Sequence, residues 1–254
     1  PAGTFSQVSA GGFHSCALRS NNTLVCWGRN DTGQLTRPAG TFIQVSAGSE
    51  HNCALRTDHT LACWGWNDYG QATPPAGTFS QVSAGEKHSC ALKNDNSLAC
   101  WGDDSAGQAT PPAGSFRQIS AGSAHSCAIK TDNSLACWGD NYFGQTTPPD
   151  GTFRKISAGL DHNCALKTDH TLACWGDNDS GQATPPDGTF KQIDAGGSQS
   201  CALQTDNRLA CWGGNYAGAA TPPAGTFRQI STGAYSSCAI RTDNFLRCWG
   251  AQVR

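Results

Sequence analysis

Fourteen cysteines in a chain of 254 residues fall into pairs of one spacing. The first members are Cys16, Cys53, Cys90, Cys127, Cys164, Cys201 and Cys238, and their partners are Cys26, Cys63, Cys100, Cys137, Cys174, Cys211 and Cys248. In five copies a histidine stands two residues ahead of the pair, at His14, His51, His88, His125 and His162. On a strand, residues two apart share a face, so a disulfide, two buried thiols or a metal site built from thiolates and imidazole all suit the pattern. The sixth and seventh copies replace the histidine with Gln199 and Ser236. A structural zinc normally takes four protein ligands, so a set missing from two copies is a poor zinc site and no metal is assigned. No Ser, Cys or carboxylate is placed beside just one of these histidines, which is what catalysis would need. They read as strand-start residues whose hydrogen bonds tie repeat to repeat. The chain is read as non-enzymatic, with no catalytic residue and no cofactor.

The elements that carry these residues recur every 37 positions, giving a single domain, 1–254, of repeats at about 1–37, 38–74, 75–111, 112–148, 149–185, 186–222 and 223–254. Within the first unit, "FSQVSAG", "HSCALR" and "TLVCWG" are short β-rich runs separated by turn residues. Opposing Cys16 to Cys26, Leu18 to Leu24 and Arg19 to Thr23 leaves Ser20, Asn21 and Asn22 as a three-residue hairpin loop. The third loop position wants positive φ, and there the copies carry Asn22, His59, Asn96, Asn133, His170, Asn207 and Asn244. A weaker fourth strand is expected at "GQAT", before the prolines turn the chain into the next unit. Repeated all-β units with apolar residues on both strand faces suggest blades around an axis, an all-β seven-bladed β-propeller. Closing that ring from "CWGAQVR" to "PAGTF" falls a few residues short, so a loop and the strand after it should be abbreviated at the termini.

At this point the repeat "GGFHSCALRSNNTLVCWGRNDTGQL" resembles that of the regulator of chromosome condensation family. The resemblance runs through every copy and implies seven blades. It fixes function weakly, because that fold hosts nucleotide exchange, light sensing, enzyme inhibition and adhesion. The family's exchange factor uses a projecting insertion and a basic tail, which this chain lacks. Its plant photoreceptor relies on clustered extra tryptophans, and here only Trp66 departs from the register of Trp27, Trp64, Trp101, Trp138, Trp175, Trp212 and Trp249. Those seven read as structural.

Directly opposed residues of antiparallel strands lie close enough for disulfide geometry. One intrablade disulfide per blade is therefore the favoured reading: Cys16–Cys26, Cys53–Cys63, Cys90–Cys100, Cys127–Cys137, Cys164–Cys174, Cys201–Cys211 and Cys238–Cys248. Free thiols and metal remain the alternatives. Bridges imply an oxidising compartment, hence a secreted or cell-surface protein. A formal charge of -2 without a run of Lys or Arg gives no footprint for nucleic acid. No apolar run is long enough to insert into a membrane. The start "PAGTF" has neither an initiator Met nor a signal-like segment, so the chain reads as a processed or excised piece. Loops such as "GRNDTGQ" lack the closing bidentate carboxylate of a calcium loop. Their asparagines read as turn-holding residues. Sequons at Asn21, Asn30 and Asn178 are candidate N-glycosylation sites.

Differences among the copies are the main functional signal. The lower face, with its cysteine hairpins and "PPAGT" turns, is expected to be monotonous. The upper loops vary, and would gather Phe13, Trp66, Tyr69, Tyr142, Phe143, Tyr216 and Tyr235 with Arg29, Glu50, Glu86, Lys87, Asp103, Asp104 and Asp161. Aromatics interleaved with charges suit a recognition surface. The leading expectation is a secreted or cell-surface scaffold that recognises an extracellular protein or glycan through these loops. The alternative is a structural subunit that assembles with copies of itself into a fibre or surface layer.

Overall fold

The computed structural model describes residues 1–251. It forms seven antiparallel sheets of three strands each, arranged as the blades of a β-propeller. Blade one contains β1 (Phe5–Ala10), β2 (His14–Arg19) and β3 (Leu24–Gly28). Every later blade repeats these inner, middle and outer strands, ending with Phe227–Thr232, Ser236–Arg241 and Leu246–Gly250. The hairpin register is the expected one, with Cys16 opposite Cys26, Leu18 opposite Leu24 and the Arg19 amide donating to the Thr23 carbonyl at 2.9 Å. Asn22 takes φ 65°, and its six counterparts lie between 67° and 72°.

All seven expected disulfides are present, and no described cysteine is free. They belong to the core. Each apolar cluster lies between two blades, as where Cys53 and Leu55 of blade two meet Phe79, Val82 and Ala91 of blade three. Blade seven meets blade one in the same way, through Cys238 and Ile240 against Phe5, Val8 and Ala17. Stability therefore resides in the contacts between neighbours, as in other repeat architectures.

One expectation about the strands fails. Among the described residues no fourth strand forms: the "GQAT" segment is a turn, and its glutamines Gln34, Gln71, Gln108, Gln145 and Gln182 are buried. The reason is a competing use of the backbone. The Gln34 carbonyl accepts from Trp64 Nε1 and Asn52 Nδ2, both at 2.9 Å, so this segment seals one blade to the next instead of extending a sheet. The abbreviation expected at the termini concerns the loop after "CWG" and the fourth strand that would follow it, and the next strand across the junction, β1, has its full six residues. The closing loop itself falls on 252–254, outside the described residues.

Each histidine does tie blade to blade. Nε2 of His14 meets Asn52 Oδ1 at 2.8 Å, and His51, His88 and His162 meet Ser89, Ser126 and Ser200 at 2.8 Å. In blade six Gln199 Nε2 substitutes by donating to the Gly233 carbonyl at 2.9 Å. Burial holds the histidines below their ordinary value, His51 at about 3 and His88 and His162 at about 4, so they are neutral in the native state.

Candidate recognition surface

Two sets of loops share the upper face because the backbone clasps them together. The Arg29 amide donates to the Phe13 carbonyl at 3.0 Å, Trp66 to Glu50 at 2.9 Å and Asp103 to Lys87 at 2.9 Å. Within each outgoing loop a side chain fixes the turn. Asn30 Oδ1 accepts from the Leu35 amide at 2.8 Å, and Asn67, Asp104, Asn141, Asn178 and Asn215 repeat the bond. Asp104 is thus part of the loop's frame. Asp103 also turns inward, accepting from Gln108 Nε2 at 2.9 Å.

The aromatics gather in three groups. Phe13 of blade one lies 5.7 Å from Tyr235 of blade seven, which lies 5.5 Å from Tyr216 of blade six, and Arg29 caps Phe13 at 5.4 Å. Trp66 and Tyr69 meet edge to face at 5.3 Å, with Lys87 over the Tyr69 ring at 5.4 Å. Tyr142 and Phe143 pair at 4.9 Å. Such pairs fix ring orientation while leaving area accessible; Tyr142 is 83% and Tyr216 70% exposed.

Carboxylates fill the spaces between these groups. Among the described residues of the upper loops, Asp31, Glu50, Asp68, Glu86, Asp103, Asp104, Asp140, Asp161, Asp177 and Asp179 face only Arg29 and Lys87 as cations. Arg29 is ion-paired to Asp31, and to Glu50 at 3.4 Å. Asp161 sits above the ordinary carboxylate range through partial burial, reinforced by Asp177, Asp140 and Glu86. The small net charge of the chain therefore conceals an acidic upper face.

The lower face is not monotonous. The second residue of the inner strand, at the lower mouth of the axis, reads Ser6, Ile43, Ser80, Arg117, Arg154, Lys191 and Arg228 around the ring. Ile43 and Phe245 are exposed on this side, 44% and 53% respectively. Sequence reasoning looked for variation in loops and passed over a strand position whose copies differ as much as any loop.

An axial channel of about 330 Å³ runs between the faces, lined by inner-strand Gln and Ser. Gln7 shows the repeating bond: its Nε2 donates to the Val45 carbonyl at 3.0 Å and its Oε1 accepts from the Val45 amide at 2.9 Å. Two side chains break the pattern, Lys155 in blade five and Asp194 in blade six. Asp194 takes the serine role, accepting from Ser157 Oγ at 3.3 Å and from Thr232 Oγ1 at 2.9 Å and the Thr232 amide. Burial raises it to about 6, against those hydrogen bonds.

Together these features define a disulfide-stapled propeller whose irregular side chains are concentrated at its two ends. Six segments, 5–34, 42–71, 79–108, 116–145, 153–182 and 190–219, match the Regulator of chromosome condensation (RCC1) repeat, so the chain belongs to that family. The seventh blade completes the ring in structure. Similar solved structures include the ectodomain of the receptor kinase CR4 from Physcomitrella patens, with TM-score 0.84, 26% identity, and coverage of 98% of this chain and 75% of that one. The CRINKLY WD40 ectodomain of the Arabidopsis thaliana receptor kinase ACR4 gives TM-score 0.81, 26% identity and 98% coverage of both chains. Prp20p from Saccharomyces cerevisiae, at TM-score 0.79, 19% identity and coverage of 89% and 80%, shares the fold. No curated protein sequence matches the chain.

Proposed function

We propose that this propeller is an extracellular, non-enzymatic binding scaffold that recognises a protein or glycan through its upper face. The observation that carries the reading is the Phe13–Tyr235–Tyr216 group, in which three blades contribute rings to one partly exposed patch. Large ring area with few rotatable bonds, bordered by charge, is the composition of an interface centre. The carboxylate excess favours a partner with basic groups, hence a protein over an acidic glycan.

Seven disulfides and similarity to receptor-kinase ectodomains point to an oxidising, extracellular setting. No helix among the described residues is long and apolar enough to cross a membrane. Of the candidate glycan acceptors, Asn178 commits its Nδ2 to Thr184 Oγ1 at 3.0 Å, whereas the exposed Asn21 and Asn30 engage only Oδ1, with Thr23 Oγ1 at 2.7 Å and the Leu35 amide at 2.8 Å. A glycan fits Asn21 and Asn30 better than Asn178.

The test is a glycan array and a panel of secreted proteins screened with the native chain. The same screen is repeated with Trp66, Tyr69, Tyr142 and Phe143 changed to Ala. A hit that the substituted protein retains in full contradicts the assignment for those groups. Light scattering separates the structural-subunit reading, which requires concentration-dependent oligomers.

A further inference from the structure

We infer that the lower mouth of the propeller is a second binding site, for a compact multivalent oxyanion bearing phosphate or sulfate esters. Arg117, Arg154, Lys191 and Arg228 occupy one strand position in four consecutive blades, so they form an arc at one side of the axis, and all four are exposed. Each is held in place by the left-handed residue of its own blade's hairpin. Arg117 Nε donates to Asn133 Oδ1 at 2.9 Å, Lys191 Nζ to Asn207 Oδ1 at 2.8 Å and Arg228 Nε to Asn244 Oδ1 at 2.8 Å, while Arg154 Nη1 lies 2.8 Å from His170 Nε2. Long cationic side chains ordinarily lose rotamer entropy on binding, and here part of that ordering precedes the ligand.

These cations are not neutralised by ion pairs. Among the described residues, salt bridges engage only Arg29, Arg208 and Arg241. Arg117 and Arg228 also reach carbonyl oxygens of the following blade, at Arg154 and Ser6 from Nη1, both at 3.3 Å, and at Phe153 and Phe5 from Nη2. A guanidinium has five N–H donors, so donors remain for an oxyanion.

The arc opens onto a concavity. A cavity of about 550 Å³ at this mouth, against blades two to five, is lined by Arg117, Arg154 and Lys155 together with Ile43, Leu55 and Leu92, so the arc's first two cations border it. Lys155 also lines the channel, where it replaces the glutamine of the other six blades and provides a cation beneath the arc. Asp194 is the channel's one carboxylate, and its oxygens are bound to Ser157 and Thr232. The opposite mouth, ringed by Gly and Ala, encloses only about 90 Å³. Anions are therefore attracted to one end of the axis. A compact, densely charged ligand uses the concavity and the arc together, and Arg forks match phosphate or sulfate oxygens.

Isothermal titration with inositol hexakisphosphate and, separately, with a heparin hexasaccharide tests the site, at about 50 and about 300 mM salt. Native protein should bind at least one probe, more weakly at the higher salt. Changing Arg117, Arg154, Lys191 and Arg228 to Ser, the residue of blades one and three, should weaken binding by about a hundredfold or more. Lys155→Gln installs the residue that six blades already tolerate and should weaken it by about tenfold. The Phe13→Ala, Tyr216→Ala, Tyr235→Ala protein should bind as the native chain does, which separates this site from the upper face. Preference for inositol hexakisphosphate would indicate a phosphorylated small molecule as the source; preference for the hexasaccharide would indicate a sulfated glycan. Failure of both probes to bind native protein overturns the site. So does unchanged affinity in the Lys155→Gln protein and the four-fold variant.

Discussion

An alanine Cβ at Gly233 would fall 2.2 Å from the carbonyl oxygen of Gly11, across the seam where blade seven meets blade one. The same contact runs around the upper rim: Gly11 against Gly48 at 2.3 Å, Gly48 against Gly85 at 2.3 Å, Gly85 against Gly122 at 2.4 Å, Gly159 against Gly196 at 2.5 Å and Gly196 against Gly233 at 2.5 Å. These glycines are required by close approach of backbone to backbone. Gly233→Ala should therefore cost about 1–3 kcal/mol, as forced repacking of a rigid interior does. Urea denaturation checks it; a change within about 0.5 kcal/mol of zero would mean the seam is looser than the contact distance implies.

Acid should destabilise the fold through its histidines. Their native values are depressed, so below pH about 6.5 the unfolded chain binds protons that the native chain refuses. Stability is complete above that value and declines as pH falls toward about 3 to 4. Denaturation midpoints from pH 8 to pH 4 should fall, and His51→Gln, which installs the residue used in blade six, should flatten the slope. A midpoint insensitive to pH in that window would refute buried neutral imidazoles.

Asp194 works in the opposite direction. Its native value is raised to about 6 from 3.8, so its ionisation is penalised and stability falls as pH rises through that interval. Asp194→Ser, which restores the residue of the other blades, should stabilise the protein by on the order of 1 kcal/mol at pH 8 and much less at pH 4. A stabilisation equal at both values would assign the effect to packing instead of charge.

Each disulfide closes a hairpin with a sequence separation of 10. On the chain-entropy view, one bridge contributes roughly 2–3 kcal/mol. Replacing Cys90 and Cys100 together by Ser should lower stability by that order and leave the ring intact. Mass spectrometry of the denatured, unreduced native chain should find no alkylatable thiol, and any labelled cysteine would break the one-bridge-per-blade account.

The pairing of Cys16 with Cys26 and the positive φ at Asn22 were legible because a hairpin is local and its copies confirm one another. The turn at Gln34 was not legible, since a β-like run becomes a turn only when the next blade's Trp64 and Asn52 claim its carbonyl. The upper aromatics were foreseen as a set, but the contact of Phe13 with Tyr235 depends on ring closure between first and last blades, which spacing alone does not measure. Arg117, Arg154, Lys191 and Arg228 were hidden for a different reason. They sit in a strand, and only the fold turns one strand position into a rim.

The upper face as a recognition surface is tested most directly by the affinity of a partner recovered from the secreted-protein panel or glycan array, measured against Phe13→Ala, Tyr216→Ala and Tyr235→Ala singly and together. Truncating an interface-centre aromatic typically costs about 2 kcal/mol or more. At least one single substitution should therefore weaken binding by about thirtyfold, and the triple change should abolish it while the denaturation midpoint stays near native. Native affinity in the triple variant, together with the variant in which Trp66, Tyr69, Tyr142 and Phe143 are Ala, would contradict the account.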